Sequence, residues 1–100
     1  MEVIFRTRKL EKEYCDHQRA DKAYGPDVAR RYIGRINLIK ETLDIEDLKR
    51  LPGLRCHELK GDRRGFWAVN LTGRYRLIFT LEGKRLEIVR IQEVSKHYDD

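Results

Sequence analysis

Between residues 54 and 79 the chain reads LRCHELKGDRRGFWAVNLTGRYRLIF, and apolar residues recur there with a period of two through 66–71 and again through 75–79. Period two marks a half-buried strand, and the break at Thr72-Gly73-Arg74 joins the two runs as a hairpin. Residues 54–59 read as a third strand, set off by the charged turn Lys60-Gly61-Asp62-Arg63-Arg64-Gly65, which has a glycine near each end. A sheet is therefore the centre of the fold, and charge gathers on it. Residues 54–76 hold six basic side chains (Arg55, Lys60, Arg63, Arg64, Arg74, Arg76) against Glu58 and Asp62, with His57 among them. Such a surface suits phosphate.

The elements around the sheet follow from the same periodicities. Residues 2–5 are short and β-prone. Thr7 offers a helix N-cap, and Leu10, Tyr14, His17 and Tyr24 fall near one helical face up to Gly25. A second helix opens with Pro26 and Asp27, and its stripe is Val28, Tyr32, Ile36, Ile39 and Leu43. Residues 44–51 keep helical character until Pro52-Gly53 turns the chain. After a turn at Glu82-Gly83-Lys84, residues 85–94 form a strand with apolar residues on both faces, which predicts a doubly buried central strand or one carrying a bulge. The order is β-α-α-β-β-β-β: an α+β domain with a mostly antiparallel sheet, two helices on one face and a basic face left partly open.

One hundred residues make one domain, residues 1–100. The net charge of +5 favours a polyanionic partner such as RNA, DNA or an acidic protein. The sequence shows neither a basic leader followed by an apolar stretch nor a membrane span, so a cytoplasmic location is expected. Cys15 and Cys56 are too few for a disulfide framework and are expected to be free thiols. Cys15, His17, Cys56 and His57 invite a zinc reading. Residues 15 and 17 point about 200° apart on a helix, and 56 and 57 face opposite sides of a strand, which argues against convergence.

The run HELKGDRRGFWAV followed by RYRLIF resembles the RelE/ParE superfamily of bacterial type II toxins, and within it the HigB branch, the plasmid maintenance killer proteins. The branch has a histidine just before an L-K-G-D-R-x-G-aromatic-Trp run and an arginine within a strand of W/Y-R-I/L-x-F type. These fall on His57, Lys60 and Arg76. The resemblance implies the RelE-like fold, cleavage of mRNA in the ribosomal A site, and neutralisation by a HigA-like, DNA-binding antitoxin. It also draws in His97 and Tyr98, because superfamily members often end in His, Tyr or acidic residues folded over the sheet. HigB relatives tend to end acidic-Tyr-His, whereas this chain reads Lys96-His97-Tyr98-Asp99-Asp100.

The chemistry asks for the same residue types. RNA cleavage without metal uses the ribose 2′-hydroxyl as nucleophile, so it needs a proton acceptor, cations for the crowded phosphorane and a donor for the leaving 5′-oxygen. Histidine serves as acceptor or donor, and Arg76, Lys60 and Arg74 supply fixed positive charge. Arg55, Arg63, Arg64 and Arg74 are the candidate RNA contacts beyond the catalytic set, and no cofactor is called for. Plainer readings stand beside these: His57 as a hydrogen-bonded strand histidine, Arg76 as a solvated strand position, Arg63-Arg64 as a solubilised turn, and Phe66 and Trp67 as core. The competing functions are a ParE-type toxin that inhibits DNA gyrase without cutting RNA, and an inert homologue that keeps only antitoxin binding.

Overall fold

The structure is a computed structural model, and it describes residues 1–96. Strand β1 (Glu2–Phe5) leads into helix α1 (Arg8–Cys15), whose N-cap Thr7 accepts a hydrogen bond from the Leu10 N–H at 3.1 Å. The expected single helix up to Gly25 is two. Asp16 leaves the helical region at φ −132°, and its carboxylate accepts the Gln18 N–H at 3.0 Å, so it ends α1 and caps α2 (His17–Tyr24). Aspartate competes locally with the helix for backbone hydrogen bonds, and here it wins.

Gly25 at φ 84° closes α2, and Pro26 opens α3 (Pro26–Glu41). Val28, Tyr32, Ile36 and Ile39 are buried as the spacing predicts, but Leu43 is 83% exposed. Thr42 is extended there and its hydroxyl donates back to the Ile39 carbonyl at 2.7 Å, so the helix stops before Leu43 can complete the stripe. A further helix, α4 (Ile45–Arg50), starts at Asp44, which accepts the Asp47 N–H at 2.9 Å and buries Leu48. The helical layer thus has four pieces, not two.

The sheet has the order β1-β5-β4-β3-β2, from β2 (His57–Glu58), β3 (Phe66–Asn70), β4 (Tyr75–Glu82) and β5 (Ile88–Lys96). β1 runs parallel to β5 and every other pair is antiparallel. The β3–β4 hairpin forms as the alternation predicts, its turn closed by the Thr72 hydroxyl, which accepts the Arg74 and Tyr75 N–H groups. Residues 54–59 form a regular ladder only at His57–Glu58, with single bonds to β3 at Leu54 and Leu59, because Arg55 sits at φ 48° and breaks the extended run. The last strand begins at Ile88 instead of residue 85. Leu86, at φ 54°, still belongs to the turn and its N–H bonds the Gly83 carbonyl at 3.1 Å.

A bulge resolves the two apolar faces of β5. Ile78 pairs with Glu93 and Phe79 with Ile91, which leaves Gln92 as the extra residue. The alternation slips there, so Val89, Ile91 and Val94 all pack on the helical side. With Val69, Leu71, Leu77 and Phe79 they meet Leu10, Tyr32, Ile36, Ile39 and Leu48 from the helices. The buried Tyr32 hydroxyl donates to the Leu10 carbonyl at 2.7 Å. No helix among the described residues is long and apolar enough to cross a membrane.

Candidate functional site

Strand alternation assigns the other face of the sheet. Directly opposed residues share a face, so His57, Ala68 and Ile78 form one row across β2, β3 and β4, and Asn70, Arg76 and Ser95 form a row across β3, β4 and β5. A small apolar cluster of Leu59, Ala68 and Ile78, with Phe66 against it, forms the floor of this face. Around it stand most of the residues the sequence singled out.

His57 is exposed, and its Nδ1 lies 2.7 Å from the Arg55 carbonyl oxygen. A carbonyl only accepts, so Nδ1 carries a proton there, which in the neutral tautomer leaves Nε2 as the acceptor. The left-handed backbone at Arg55 is what aims that carbonyl: local strain fixes a tautomer. Arg76 is half-buried, and its Nε is shielded from solvent with no hydrogen-bond partner among the described residues. From His57 to Arg76 is two strand spacings across and two residues along, about 12 Å between backbones, a gap their side chains narrow.

Lys60 lies past the end of β2, where it precedes a 3-10 turn at Gly61–Arg63. With Glu58, Leu59, Gly61 and Arg64 it lines a shallow groove, held in shape by the Glu58 carboxylate, which accepts the Gly65 N–H at 2.9 Å. Arg55, Arg64 and Arg74 are exposed, the last at the hairpin turn. Arg63 is different: its guanidinium lies 5.1 Å over the Phe66 ring and pairs with Glu93 at 3.2 Å. Glu82 and Arg90 form a two-contact ion pair further along β4 and β5, and the hydrogen bond from Arg90 holds the Glu82 carboxyl below the usual carboxylate range. The open face is therefore divided. Its β4–β5 half is charge-neutralised by acids the 54–76 count did not include, and its β2–β3 half and hairpin end carry the uncompensated cations.

The structure brings His57 and Arg76 onto one face and puts Lys60 at its rim, although among the described residues no hydrogen bond or ion pair joins the three. His97 and Tyr98 lie outside the described residues. Cys15 ends α1 on the surface, whereas Cys56 packs toward the core, where burial pushes its thiol up to about 11. Among the described residues no three His, Cys, Asp or Glu side chains converge as a metal site. Asn70 and Arg35 escaped the sequence reading. The Asn70 carbonyl accepts the Arg35 Nε–H at 2.9 Å and its N–H bonds the Leu54 carbonyl at 2.8 Å, contacts between distant segments that no periodicity reveals.

Comparison with known proteins gives the same frame. Residues 3–93 match the family model described as a RelE-like toxin of type II toxin-antitoxin system HigB. Among solved structures, the chain is similar to a YoeB/ParE toxin from Agrobacterium tumefaciens (21% identity, 98% of this chain and 100% of that one, TM-score 0.63). It also resembles YafQ from Escherichia coli BL21(DE3) (14% identity, 95% and 91% coverage, TM-score 0.61). A third likeness is to the YoeB-YefM complex from Staphylococcus aureus (15%, 98% and 98%, TM-score 0.60). At these identities the likeness is one of fold. No curated protein sequence matches.

Proposed function

Because the chain belongs to the HigB-like family of RelE-like toxins of type II toxin-antitoxin systems, we propose that its open face is a ribonuclease site acting on translated mRNA on the ribosome, without a metal. The observation that carries this reading is His57, with Nδ1 committed to Arg55, on the same face as Arg76, whose shielded Nε has no partner among the described residues. Nε2 takes the proton from a ribose 2′-hydroxyl as its oxygen attacks the adjacent phosphorus. The bond to the 5′-oxygen breaks, leaving a 2′,3′-cyclic phosphate, and the departing oxygen takes a proton from the Lys60 ammonium. Arg76 holds the non-bridging oxygens, where negative charge grows in the transition state. Arg55, Arg64 and Arg74 extend the cationic surface, and Arg63 joins them to the extent that Glu93 releases it. His97 and Tyr98 remain proposed members of the site.

The partners of this reading are the ribosome with its mRNA, in the cytoplasm, and a HigA-like, DNA-binding antitoxin. The YoeB-YefM complex supports a cognate antitoxin by analogy of fold. The gyrase reading makes no use of a histidine whose tautomer is fixed. The test is to add the purified protein to a translating extract and map the ends of the message. His57→Ala should lower cleavage by about 10²–10⁴-fold with an unchanged circular dichroism spectrum. Cleavage at the wild-type rate by that variant removes His57 from the chemistry, and blocked DNA supercoiling with intact transcripts selects the gyrase reading.

A further inference from the structure

Four arginines are half-buried among the described residues: Arg35, Arg63, Arg76 and Arg90. Arg63 and Arg90 have carboxylate partners in Glu93 and Glu82. Arg35 and Arg76 have none, and both stand at Asn70. Arg76 is its cross-strand partner, and Arg35 donates Nε–H to its carbonyl. A partly desolvated cation with no counter-ion is unfavourable, and two around a single residue would both gain from a shared anionic ligand.

The backbone locates Arg35 more closely. The N–H and C=O of one strand residue point to the same side. The Asn70 N–H meets the Leu54 carbonyl, so its C=O also points away from β4, toward the edge where β2 has stopped. Arg35 occupies the ladder position that β2 leaves vacant. Its Nε therefore lies at the Asn70 end of β3, and the side chain is half-buried and not sealed in. Nε is committed to Asn70, and among the described residues no hydrogen bond or ion pair engages the two Nη groups. Arg31, one turn earlier on α3, is exposed and likewise has no carboxylate partner among the described residues. Burial and the Arg31 charge both pull the Arg35 pKa down, the direction expected of a cation facing another cation.

We propose that Arg35 and Arg31 form a second phosphodiester site, which takes the RNA strand as it leaves Arg76 and rounds the end of β3 toward α3. The proposal rests on the ribonuclease reading above and extends it to how the strand is held. Asn70 is the pivot, with Arg76 one strand away on the open face, about 5 Å between backbones. That continuity favours a nucleic-acid backbone over an acidic peptide, and the guanidinium forks suit phosphate oxygens.

The test uses a single-stranded RNA of about twelve nucleotides with 2′-O-methyl riboses, which cannot be cleaved, and follows its binding by fluorescence anisotropy across a salt series. Each phosphate contact contributes about 0.7 to the slope of log affinity against log salt. Arg31→Gln, at an exposed position, should lower the slope by about one such unit. Arg35→Lys should weaken binding because an ammonium lacks the fork. Should Arg35→Lys also lower the melting temperature, Arg31→Gln alone decides. Wild-type affinity and slope in Arg31→Gln, or no RNA binding by the wild type at low salt, overturns the proposal. So does loss of binding to an oligoglutamate peptide with RNA binding intact, which assigns the pair to an acidic protein segment. The outcome is separable from the cleavage chemistry. If His57→Ala still cuts while Arg31→Gln flattens the slope, the catalytic assignment fails and the binding site stands.

Discussion

Arg76 and Arg90 occupy the same face of the sheet on the neighbouring strands β4 and β5, and their surroundings give them opposite tasks. Arg90 is held by Glu82, whereas Arg76 has a shielded Nε with no partner among the described residues. A guanidinium kept free in this way is ready for a ligand oxygen. Arg76→Ala should therefore slow cleavage in single turnover more than it weakens ribosome binding, and lysine should restore only part of the rate, because a point charge cannot span two phosphate oxygens. Equal loss in binding with an unchanged chemical step would make Arg76 a docking contact only. The Glu82–Arg90 pair carries a pH signature instead. Its carboxyl is depressed in the folded state, so its contribution to stability is present above the unfolded carboxylate pKa and is lost as pH falls through the folded one. Glu82→Gln should flatten the acid limb of a stability-against-pH curve, and an unchanged limb shows that the surface pair contributes nothing measurable.

The elements legible in the sequence were those that announce themselves by period or by a breaker. The hairpin of β3 and β4 and the α3 stripe as far as Ile39 follow from apolar spacing, and the apolar residues on both faces of β5 left the bulge as one of two readings. What escaped depended on single residues with two possible roles. Asp16 read as an ordinary helical position and is a cap. Arg55 read as part of a strand and is its break, and Leu86 read as strand and is turn. The Arg35–Asn70 contact joins residues 35 apart and leaves no trace in local pattern. Turn chemistry at Gly83 offers a direct check on this class of residue. Its φ is 94°, and an added Cβ would lie 1.7 Å from a Glu87 carboxylate oxygen. Gly83→Ala should destabilise by about 1–2 kcal/mol. Adding Glu87→Ala removes the overlap but leaves the backbone strain, so most of the loss should persist in the double variant. Full recovery to the stability of Glu87→Ala alone would make the overlap, and not φ, the cause.

At the scale of the molecule, the main core joins the helices to β1, β3, β4 and β5. Ile36, wholly buried between α3 and the sheet, should cost about 2–5 kcal/mol when cut to alanine, measured by urea unfolding; a loss under 1 kcal/mol means the helical layer collapses onto the gap. The topology adds a matter of timing. β1 is a ladder partner of β5 alone, with Glu2 beside Ile88 and Phe5 beside Ile91. During synthesis at roughly 5–20 residues per second, the first strand emerges several seconds before the strand it pairs with. Until then β4, the strand of Arg76, has an open edge where β5 will lie. A chain that ends before β5 lacks the ladder partner of both β1 and β4, so neither the parallel edge nor the open face that carries Arg76 is completed.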